Sequence, residues 1–333
     1  MKQLQLGSQG PRVAAFGLGC MAMSGSYGPS DRTESLATIR AALEAGVTLL
    51  DTGDFYGMGH NELLIRDALA GIPREQVQIS LKFGAMRDPA GGWTGYDARP
   101  AAVKNFLAYS LQRLGVEYVD IYRPARLDPA VPIEDTVGTI ADLVRQGHVR
   151  HIGLSEVGAH TLRRARGVAP ICDLQIEYSL VTRGIEATIL PTCRELGIGI
   201  TAYGVLSRGL ISGHWSKERK ADAGFRAMTP RFQGENLAHN LALVETLRTV
   251  ATRIGASLAQ VTTAWVAAQG SDILPLIGAR TRAQLVESLG AANLTLSAAD
   301  LAALTAVAPA GAMAGERYPA FAMAHLDSER AAH

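Results

Sequence analysis

Three residue types suited to proton transfer lie at or just after neighbouring strand-like apolar segments. Asp51 ends one apolar run, Tyr56 lies five residues later, and Lys82 ends the next run. A lysine can lower the pKa of a phenol, and a carboxylate can hold the lysine in its charged form. The three together predict a site at which a tyrosine transfers a proton. The structural alternative is a buried Asp51–Lys82 ion pair, because ion pairs also perturb pKa values.

The elements that must position these residues alternate along nearly the whole chain. Predicted strands cover residues 13–16, 48–51, 78–82, 118–122, 152–154, 174–176, 199–203 and 273–276. Predicted helices cover residues 33–45, 61–70, 101–114, 133–146, 159–166, 186–196, 237–253 with 258–269, and 282–292. Eight such units predict an α/β fold, a single closed (β/α)8 barrel (the TIM-barrel fold), rather than an open doubly wound sheet. The carboxyl ends of barrel strands share one face, so Asp51 and Lys82 are expected to converge there.

Several glycines are placed where a helix should end in the left-handed conformation. They are Gly46, Gly115, Gly147, Gly167 and Gly197. Glycine adopts this conformation without steric cost, which makes it a common helix terminator. These positions support the predicted helix boundaries.

Two internal segments and the two ends depart from the alternation. Residues 205–236 and 84–100 show no convincing element. A loop as long as 205–236 is usually functional or disordered, and a solvated insertion is the alternative. We assign residues 1–308 to the barrel domain, with residues 1–6 as a short extra strand at its bottom. Residues 309–333 form a tail that is either disordered or a lid over the barrel mouth.

Composition excludes several classes of protein. The 333 residues include 32 basic and 31 acidic residues, so no global field favours nucleic acid or anionic lipid. No apolar run reaches the roughly 18 residues of a membrane span, and the first twenty residues lack the apolar block of a signal peptide. Three widely spaced cysteines fit neither a disulfide framework nor a zinc site. We therefore expect a cytoplasmic protein with no metal, nucleic-acid or membrane partner, and nothing indicates its oligomeric state.

Two segments are candidates for nucleotide binding. Residues 17–22 fit a loose G-x-G-x-x-A pattern, but no helix signal follows until Asp31, so we reject a Rossmann loop. Residues 277–282 follow the last predicted strand and lead into a helix, where barrels commonly bind phosphate. Arg280 and Arg282 add positive charge suited to a 2′-phosphate. The alternative is two solvated arginines at a helix start.

Five segments give the chain a resemblance to the aldo-keto reductase superfamily. Residues 51–57 are similar to its D-T-A-x-x-Y-G motif, with Gly53 in the alanine position. Three further segments, 153–156, 175–179 and 203–210, resemble G-[VL]-S-N, Q-x-x-Y-S and Y-S-P-L-G-x-G-L. Residues 275–288 resemble the segment that binds the adenosine phosphate. The resemblance covers essentially all of the chain and implies a (β/α)8 barrel that reduces carbonyl groups with NADPH.

The resemblance implies roles for individual residues. It makes Asp51, Tyr56 and Lys82 three of four catalytic residues. It also implies that Ser155 and Gln175 hold the cofactor's carboxamide while Tyr203 stacks on its nicotinamide. The full set of candidate cofactor contacts is Gly19, Cys20, Met21, Asp51, Ser155, Gln175, Tyr203, Gly204, Leu206, Ser207, Gly209, Leu210, Gly278, Arg280, Gln284, Glu287 and Ser288. The expected substrate pocket comprises Phe55, Tyr56, Met86, Trp93, Ala125 and Arg126.

Two residues depart from the family pattern. Glu156 replaces an asparagine, so its contact with the carboxamide cannot form in the same way. Ala125 stands where the Y-x-x-H-R-x-D pattern has the fourth catalytic residue, a histidine. Neighbouring strand residues point to opposite faces, so a strand that continued through Arg126 would turn this pocket candidate away from the mouth. Arg126, a substrate hydroxyl and a water molecule stay open as replacements for the imidazole.

These observations predict reversible, NADPH-dependent reduction of an aldehyde or ketone, with Tyr56 as general acid. The apolar pocket suits a small aromatic or alicyclic carbonyl compound, including a pyridoxal-like one. One alternative is a nicotinamide-binding regulatory or sensor barrel with little turnover, which Ala125 favours. Another is a Schiff-base aldolase built on Lys82, for which the phosphate-binding segment would have no use.

Overall fold

Eight parallel strands close into a barrel in the computed structural model of the chain. The structure describes residues 1–215 and 224–330, so part of the 205–236 loop and the end of the tail lie outside it. The strands are β1 (Gln3–Gln5), β2 (Arg12–Ala14), β3 (Gly17–Gly19), β4 (Leu49–Gly53), β5 (Gln78–Phe83), β6 (Ala85–Arg87), β7 (Trp93–Tyr96), β8 (Val119–Pro124), β9 (Val149–Ser155), β10 (Ile171–Glu177), β11 (Gly199–Tyr203) and β12 (Ile273–Gly278). Strands β3, β4, β5, β8, β9, β10, β11 and β12 form the barrel in that order. The predicted (β/α)8 fold is confirmed.

Helices follow the barrel strands and cover the outside of the sheet. They are α1 (Arg32–Glu44), α2 (His60–Ala68), α3 (Pro100–Leu114), α4 (Ile133–Arg145), α5 (Ala159–Val168), α6 (Ile189–Leu196), α7 (Phe225–Met228), α8 (Gly234–Ile254), α9 (Leu258–Ala267), α10 (Arg282–Leu289), α11 (Ala298–Val307) and α12 (Ala320–Met323). Four of the five cap glycines have the left-handed φ expected of them, but Gly167 lies inside α5. That helix runs on to Val168 and ends without a left-handed residue.

The first barrel strand differs from its predicted position. The apolar residues 13–16 predict the first barrel strand, but the strand found there, Arg12–Ala14, pairs with Gln3–Gln5 in an antiparallel hairpin. Gln3–Gln5 is the short extra strand predicted within residues 1–6. The barrel strand is Gly17–Gly19. A Cβ atom on Gly17 would lie 2.7 Å from a methyl group of Leu276 and 3.1 Å from one of Leu49, so a larger residue would have to displace these side chains. Glycine-rich sequence reads as a turn, and this explains why the strand was missed.

Two segments expected to be irregular contain regular elements. Strands β6 and β7 form an antiparallel hairpin within residues 84–100, with Ala85 opposite Tyr96. The 205–236 segment includes the short helix α7 and the start of α8. Helix α11 was also not predicted. The described part of the tail, residues 309–330, includes α12.

The lower part of the barrel interior is apolar and the layer above it is charged. Buried side chains at the bottom are Leu6, Val13, Leu49, Ile121, Cys172, Leu274 and Leu276. A fully buried ion pair joins Arg123 and Asp173 at 3.1 Å, and Arg123 also donates to Ser80 Oγ at 3.0 Å. Ser80 in turn donates to Asp51 at 2.8 Å. This layer therefore connects the core to the carboxylate at the mouth.

Candidate active site

Asp51 and Lys82 meet at the carboxyl ends of adjacent strands. Strands β4 and β5 pair in parallel, with Asp51 opposite Ser80 and Gly53 opposite Lys82. Lys82 Nζ lies 2.5 Å from Asp51 Oδ1, and both side chains are buried. The loop after β4 places the Tyr56 ring centroid 5.0 Å from Lys82 Nζ. The predicted convergence of these three side chains is therefore present in the geometry.

Burial sets the protonation states of this group. Removal from water lowers the pKa of Lys82, and the neighbouring Asp51 carboxylate opposes that shift. Burial also raises the pKa of Tyr56 well above its ordinary value, and the Asp51 charge adds to the effect. The phenol is therefore protonated at neutral pH. Its hydroxyl makes no hydrogen bond to the residues that the structure describes, so it is available to a ligand in the mouth.

Gln175 supports the same carboxylate from across the barrel. Its Nε2 donates a hydrogen bond to Asp51 Oδ2 at 2.6 Å, and Ser80 Oγ donates to the same oxygen. Both carboxylate oxygens of Asp51 thus accept hydrogen bonds, which fixes its orientation toward Lys82. Ser155, at the end of β9, lies beside Arg126, with 3.5 Å between its Oγ and Arg126 Nη1.

A cavity of about 840 Å³ extends from this group to the start of α10. The predicted residues on its wall are Gly19, Met21, Asp51, Phe55, Tyr56, Lys82, Trp93, Ala125, Arg126, Ser155, Gln175, Tyr203, Gly204, Leu206, Gly209, Gly278, Arg280, Gln284, Glu287 and Ser288. Four predicted residues are not on the wall: Cys20, Met86, Ser207 and Leu210. Cys20, Ser207 and Leu210 are fully buried, since each packs into the protein beneath the loop that carries it.

The far end of the cavity carries one of the two predicted arginines. Arg280 lines the wall, and its Nη1 donates to the carbonyl oxygens of Tyr27 at 3.3 Å and Pro29 at 3.1 Å. Arg282 is not on the wall. It is exposed and forms an ion pair with Glu34 at 2.8 Å. Of the two arginines expected to face a phosphate, Arg280 lines the cavity and Arg282 does not.

Cations outnumber carboxylates on the described cavity wall. The carboxylates are Asp51 and Glu287, and the lysine and arginine residues are Lys82, Arg87, Arg126, Arg208, Arg226 and Arg280. Arg208 lies in a left-handed turn after β11, and its buried Nη1 has no hydrogen-bond partner among the described residues. A buried guanidinium with an unsatisfied donor is suited to a phosphate oxygen. These residues therefore fit a phosphorylated dinucleotide.

Ala125 and Arg126 both face the cavity. Strand β8 ends at Pro124, so the alternation of side chains expected from a strand does not extend to these positions. Ala125 is 2% exposed and brings no polar atom to the wall. Arg126, a candidate pocket residue, lies on the wall, and its guanidinium contacts Ser155 and the Tyr318 hydroxyl at the mouth. Of the two orientations left open for Arg126, the structure has the one that faces the mouth, because the strand ends before this residue.

Glu156 is directed at the tail rather than the cavity. Its Oε2 lies 2.6 Å from Arg317 Nη2, and its Oε1 accepts a hydrogen bond from the Tyr203 hydroxyl at 2.6 Å. Burial would raise the pKa of Glu156, but the charge and hydrogen bonds of Arg317 outweigh it and hold that pKa well below its usual range. The ionised carboxylate therefore binds the tail at the position where the family pattern has asparagine.

Of the aromatic residues that line the cavity between the β6–β7 hairpin and the tail, the candidate pocket residues included only Trp93. The Trp93 and His325 rings are 4.8 Å apart, and Tyr96 is 5.8 Å from the same histidine. The Phe321 ring is tilted by 39° against Trp93, with 6.3 Å between centroids. The signal was a pair of aromatic residues in a glycine-rich segment and another pair in the tail. Nothing in the sequence indicates that these pairs meet.

Comparison with known proteins decides the family. The sequence model of the family described as "Aldo/keto reductase family" matches residues 15–309. The chain belongs to the aldo/keto reductase family. It is 40% identical over 321 residues to a probable aldo-keto reductase 1 from Glycine max, an alignment that covers 96% of this chain and 92% of the soybean protein. Membership identifies it as an oxidoreductase of the class that reduces carbonyl groups.

Two solved structures of aldo/keto reductases resemble this one over most of its length. A glycerol dehydrogenase from Gluconobacter oxydans superimposes with a TM-score of 0.83 at 26% identity, and covers 99% of this chain and 98% of the other. A thermostable aldo-keto reductase bound to the inhibitor epalrestat has a TM-score of 0.74 at 26% identity, with coverage of 92% and 100%. Within the described residues no cluster of side chains suits a metal ion. No described helix has the length and apolar character needed to cross a membrane.

Proposed function

We propose that this aldo/keto reductase reduces an aldehyde or ketone to an alcohol with NADPH, reversibly, and that Tyr56 is its general acid. The observation that carries the proposal is the buried Asp51–Lys82 pair beside Tyr56. It lies at one end of a cavity whose other end carries Arg280. A proton donor and a phosphate-binding end within one cavity are what a nicotinamide-dependent reductase requires. A cytoplasmic location and the absence of nucleic-acid, membrane and metal partners belong to the same proposal.

The residues that would hold the cofactor divide along the cavity. Ser155 and Gln175 would bind the carboxamide, since both line the wall beside Asp51. Arg208 would bind phosphate through its unsatisfied Nη1, and Arg280 would bind the 2′-phosphate that distinguishes NADPH from NADH. When bound, NADPH supplies the hydride for the carbonyl carbon.

The protein's own part in the reaction is to position the carbonyl and deliver a proton. Tyr56 donates its phenolic proton to the carbonyl oxygen, which becomes the alcohol. The Lys82 ammonium lowers the cost of the resulting phenolate, and Asp51 keeps that ammonium charged. Burial of all three groups strengthens these interactions, because water does not screen them.

One observation favours a second candidate, a nicotinamide-binding sensor with little turnover. Ala125 has no polar atom to place beside the reacting oxygen. Losing one such hydrogen bond typically costs a factor of roughly 10²–10³ in turnover. The intact Asp51, Tyr56 and Lys82 group argues for the reductase.

The test measures NADPH oxidation with a panel of aldehydes and ketones, and cofactor binding by fluorescence in parallel. The proposal expects tight NADPH binding and oxidation that depends on the carbonyl compound. Binding without oxidation by any member of the panel would support the sensor instead. Failure to bind either nicotinamide cofactor would contradict both candidates.

A further inference from the structure

Arg126 is a cation at the substrate end of the cavity that lacks a carboxylate partner within the described structure. Its Nη1 donates to the Ala125 carbonyl at 2.6 Å and approaches Ser155 Oγ, while Nη2 donates to the Tyr318 hydroxyl at 3.3 Å. All three acceptors are neutral. Nε bonds to nothing in the described residues, and Nη2 has a second proton besides the one given to Tyr318, so donors remain for a carboxylate.

The other buried arginines near the mouth each pair with a carboxylate, whereas Arg87, which also lines the cavity, is exposed on the hairpin. Arg123 pairs with Asp173, Arg317 pairs with Glu156, and Arg208 and Arg231 share Glu177. The negative charge of Glu156 acts on Arg126 and favours its charged form. Both oxygens of Glu156 are already engaged by Arg317, Tyr203 and Ser328. A half-buried guanidinium without its own counter-ion is costly unless a ligand supplies one.

Aromatic rings surround Arg126 on the side of the tail and hairpin. Its Cζ lies 5.8 Å from the centroid of the Tyr318 ring. Trp93, Tyr96 and Phe321 line the same end of the cavity, and no described carboxylate lines it beyond the paired Asp51. A ligand at this end therefore meets apolar surface around the half-buried charge of Arg126, with the exposed Arg87 as a second cation.

We propose that the substrate of this enzyme is a carbonyl compound that carries a carboxylate on an apolar body, and that Arg126 binds this carboxylate. The inference rests on the proposed reductase function and narrows its substrate class. Arg126 would hold the anion through Nε and Nη2 while Tyr56 meets the carbonyl oxygen. Tyr56 follows β4 and Arg126 follows β8, which is two strands further around the barrel.

The competing role for Arg126 is a hydrogen bond to the reacting carbonyl oxygen in place of the absent histidine. That oxygen carries negative charge only in the transition state. The guanidinium is charged throughout, so a permanent anion compensates it in the bound complex as well. The two roles make different predictions for a neutral substrate, and this difference allows a direct test.

The test compares meta- and para-carboxybenzaldehyde with their methyl esters, which have the same ring and aldehyde but no charge. For the wild type, kcat/KM should favour the acid over its ester by about tenfold or more. Arg126→Met should lower kcat/KM for the acid by roughly 10- to 100-fold, mainly through KM, and change the ester by less than about twofold. Arg126→Lys should restore part of the loss, because it keeps the charge without the planar fork.

Two further variants separate charge from structure. Tyr318→Phe removes the acceptor of Arg126 Nη2 but keeps the charge, so it should retain the preference for the acid. Arg145→Met removes an exposed arginine on α4 and should match the wild type with both substrates. If Tyr318→Phe loses the preference as fully as Arg126→Met does, Arg126 serves only to fix the tail.

Calorimetry with benzoate and benzamide, on protein saturated with NADP⁺, gives a readout that needs no turnover. Benzoate should bind at least tenfold more tightly than benzamide to the wild type, and equally weakly to Arg126→Met. Equal losses for acid and ester with Arg126→Met, or no preference in the wild type, would overturn the inference and leave the reductase proposal intact. If no aldehyde is reduced at all, the function fails, while benzoate binding still decides the role of Arg126.

Discussion

Arg317 Nη2 lies 2.6 Å from Glu156 Oε2, and this buried ion pair attaches the C-terminal segment to the end of β9. Ser328 adds a hydrogen bond to the same oxygen at 2.6 Å, and Asp327 accepts one from the Gly158 N–H at 2.8 Å. Glu156 has a left-handed φ of 54°, a conformation that asparagine tolerates better than glutamate does. The chain thus keeps a strained residue where it binds the tail.

Glu156→Asn should release the tail, although asparagine suits the left-handed backbone at this position better than glutamate does. Asparagine cannot reach or neutralise Arg317, and breaking a buried pair by removing one partner costs roughly 3–5 kcal/mol. We expect faster amide hydrogen exchange across residues 316–329 and faster trypsin cleavage after Arg317. Glu329→Gln is the control, because Glu329 is the more exposed partner of Arg317. Equal cleavage rates for Glu156→Asn and wild type would show that the pair does not hold the tail.

Arg280→Ala should weaken NADPH binding and leave NADH binding nearly unchanged. The expected loss is roughly 1.5–3 kcal/mol, the value of a hydrogen bond to a charged group. Fluorescence titration with both cofactors measures it. Arg282→Ala is the matched control two residues away, since its side chain pairs with Glu34 outside the cavity. Similar losses of binding free energy for the two cofactors would show that Arg280 does not recognise the 2′-phosphate.

Asp51→Asn should move the alkaline limit of carbonyl reduction to lower pH. Burial lowers the pKa of Lys82, and the Asp51 charge raises it. Without that charge the lysine loses its proton at lower pH, so the rate, which requires the charged lysine, falls earlier as pH rises. The pH dependence of kcat/KM measures the shift. Ser80→Ala removes a hydrogen bond to Asp51 without changing its charge, and should shift the profile far less. An unchanged alkaline limit in Asp51→Asn would show that the protonation of Lys82 does not control the rate.

Ala125→His should raise turnover of small neutral aldehydes and lower it for the native substrate. The imidazole restores a donor beside the reacting oxygen, an effect worth up to roughly 10²–10³ in rate. It also fills space beside Arg126 that a larger substrate would use. Steady-state kinetics with small and bulky aldehydes measures both effects. A variant that binds NADPH and shows neither change would mean that position 125 does not reach the carbonyl.

The barrel was predictable because its evidence is local and repeated. Apolar strand segments, helices of similar length and cap glycines recur in each strand–helix unit of the barrel. A single error, such as the helix end predicted at Gly167, therefore does not change the predicted fold. Strand β3 was missed because Gly17 and Gly19 lack the side chains on which periodicity depends. The Asp51, Tyr56 and Lys82 group was predictable because parallel barrel strands end on one face.

The mouth was harder to predict because its contacts join residues far apart in sequence. Glu156 and Arg317 are 161 residues apart, and Arg126 and Tyr318 are 192 apart. The sequence showed that Glu156 departs from the family pattern, but it contained no sign of the partner. The orientation of Arg126 stayed open because the sequence does not show that the strand ends two residues before it.

The most direct test of the central proposal compares Tyr56→Phe with wild type. The variant keeps the ring beside Lys82 and removes only the hydroxyl that donates the proton. NADPH oxidation with the best carbonyl substrate should fall by roughly 10²–10⁴, while the Kd for NADPH stays within about twofold. A Tyr56→Phe variant that reduces the same substrate at the wild-type rate would contradict the account, since another group would then supply the proton.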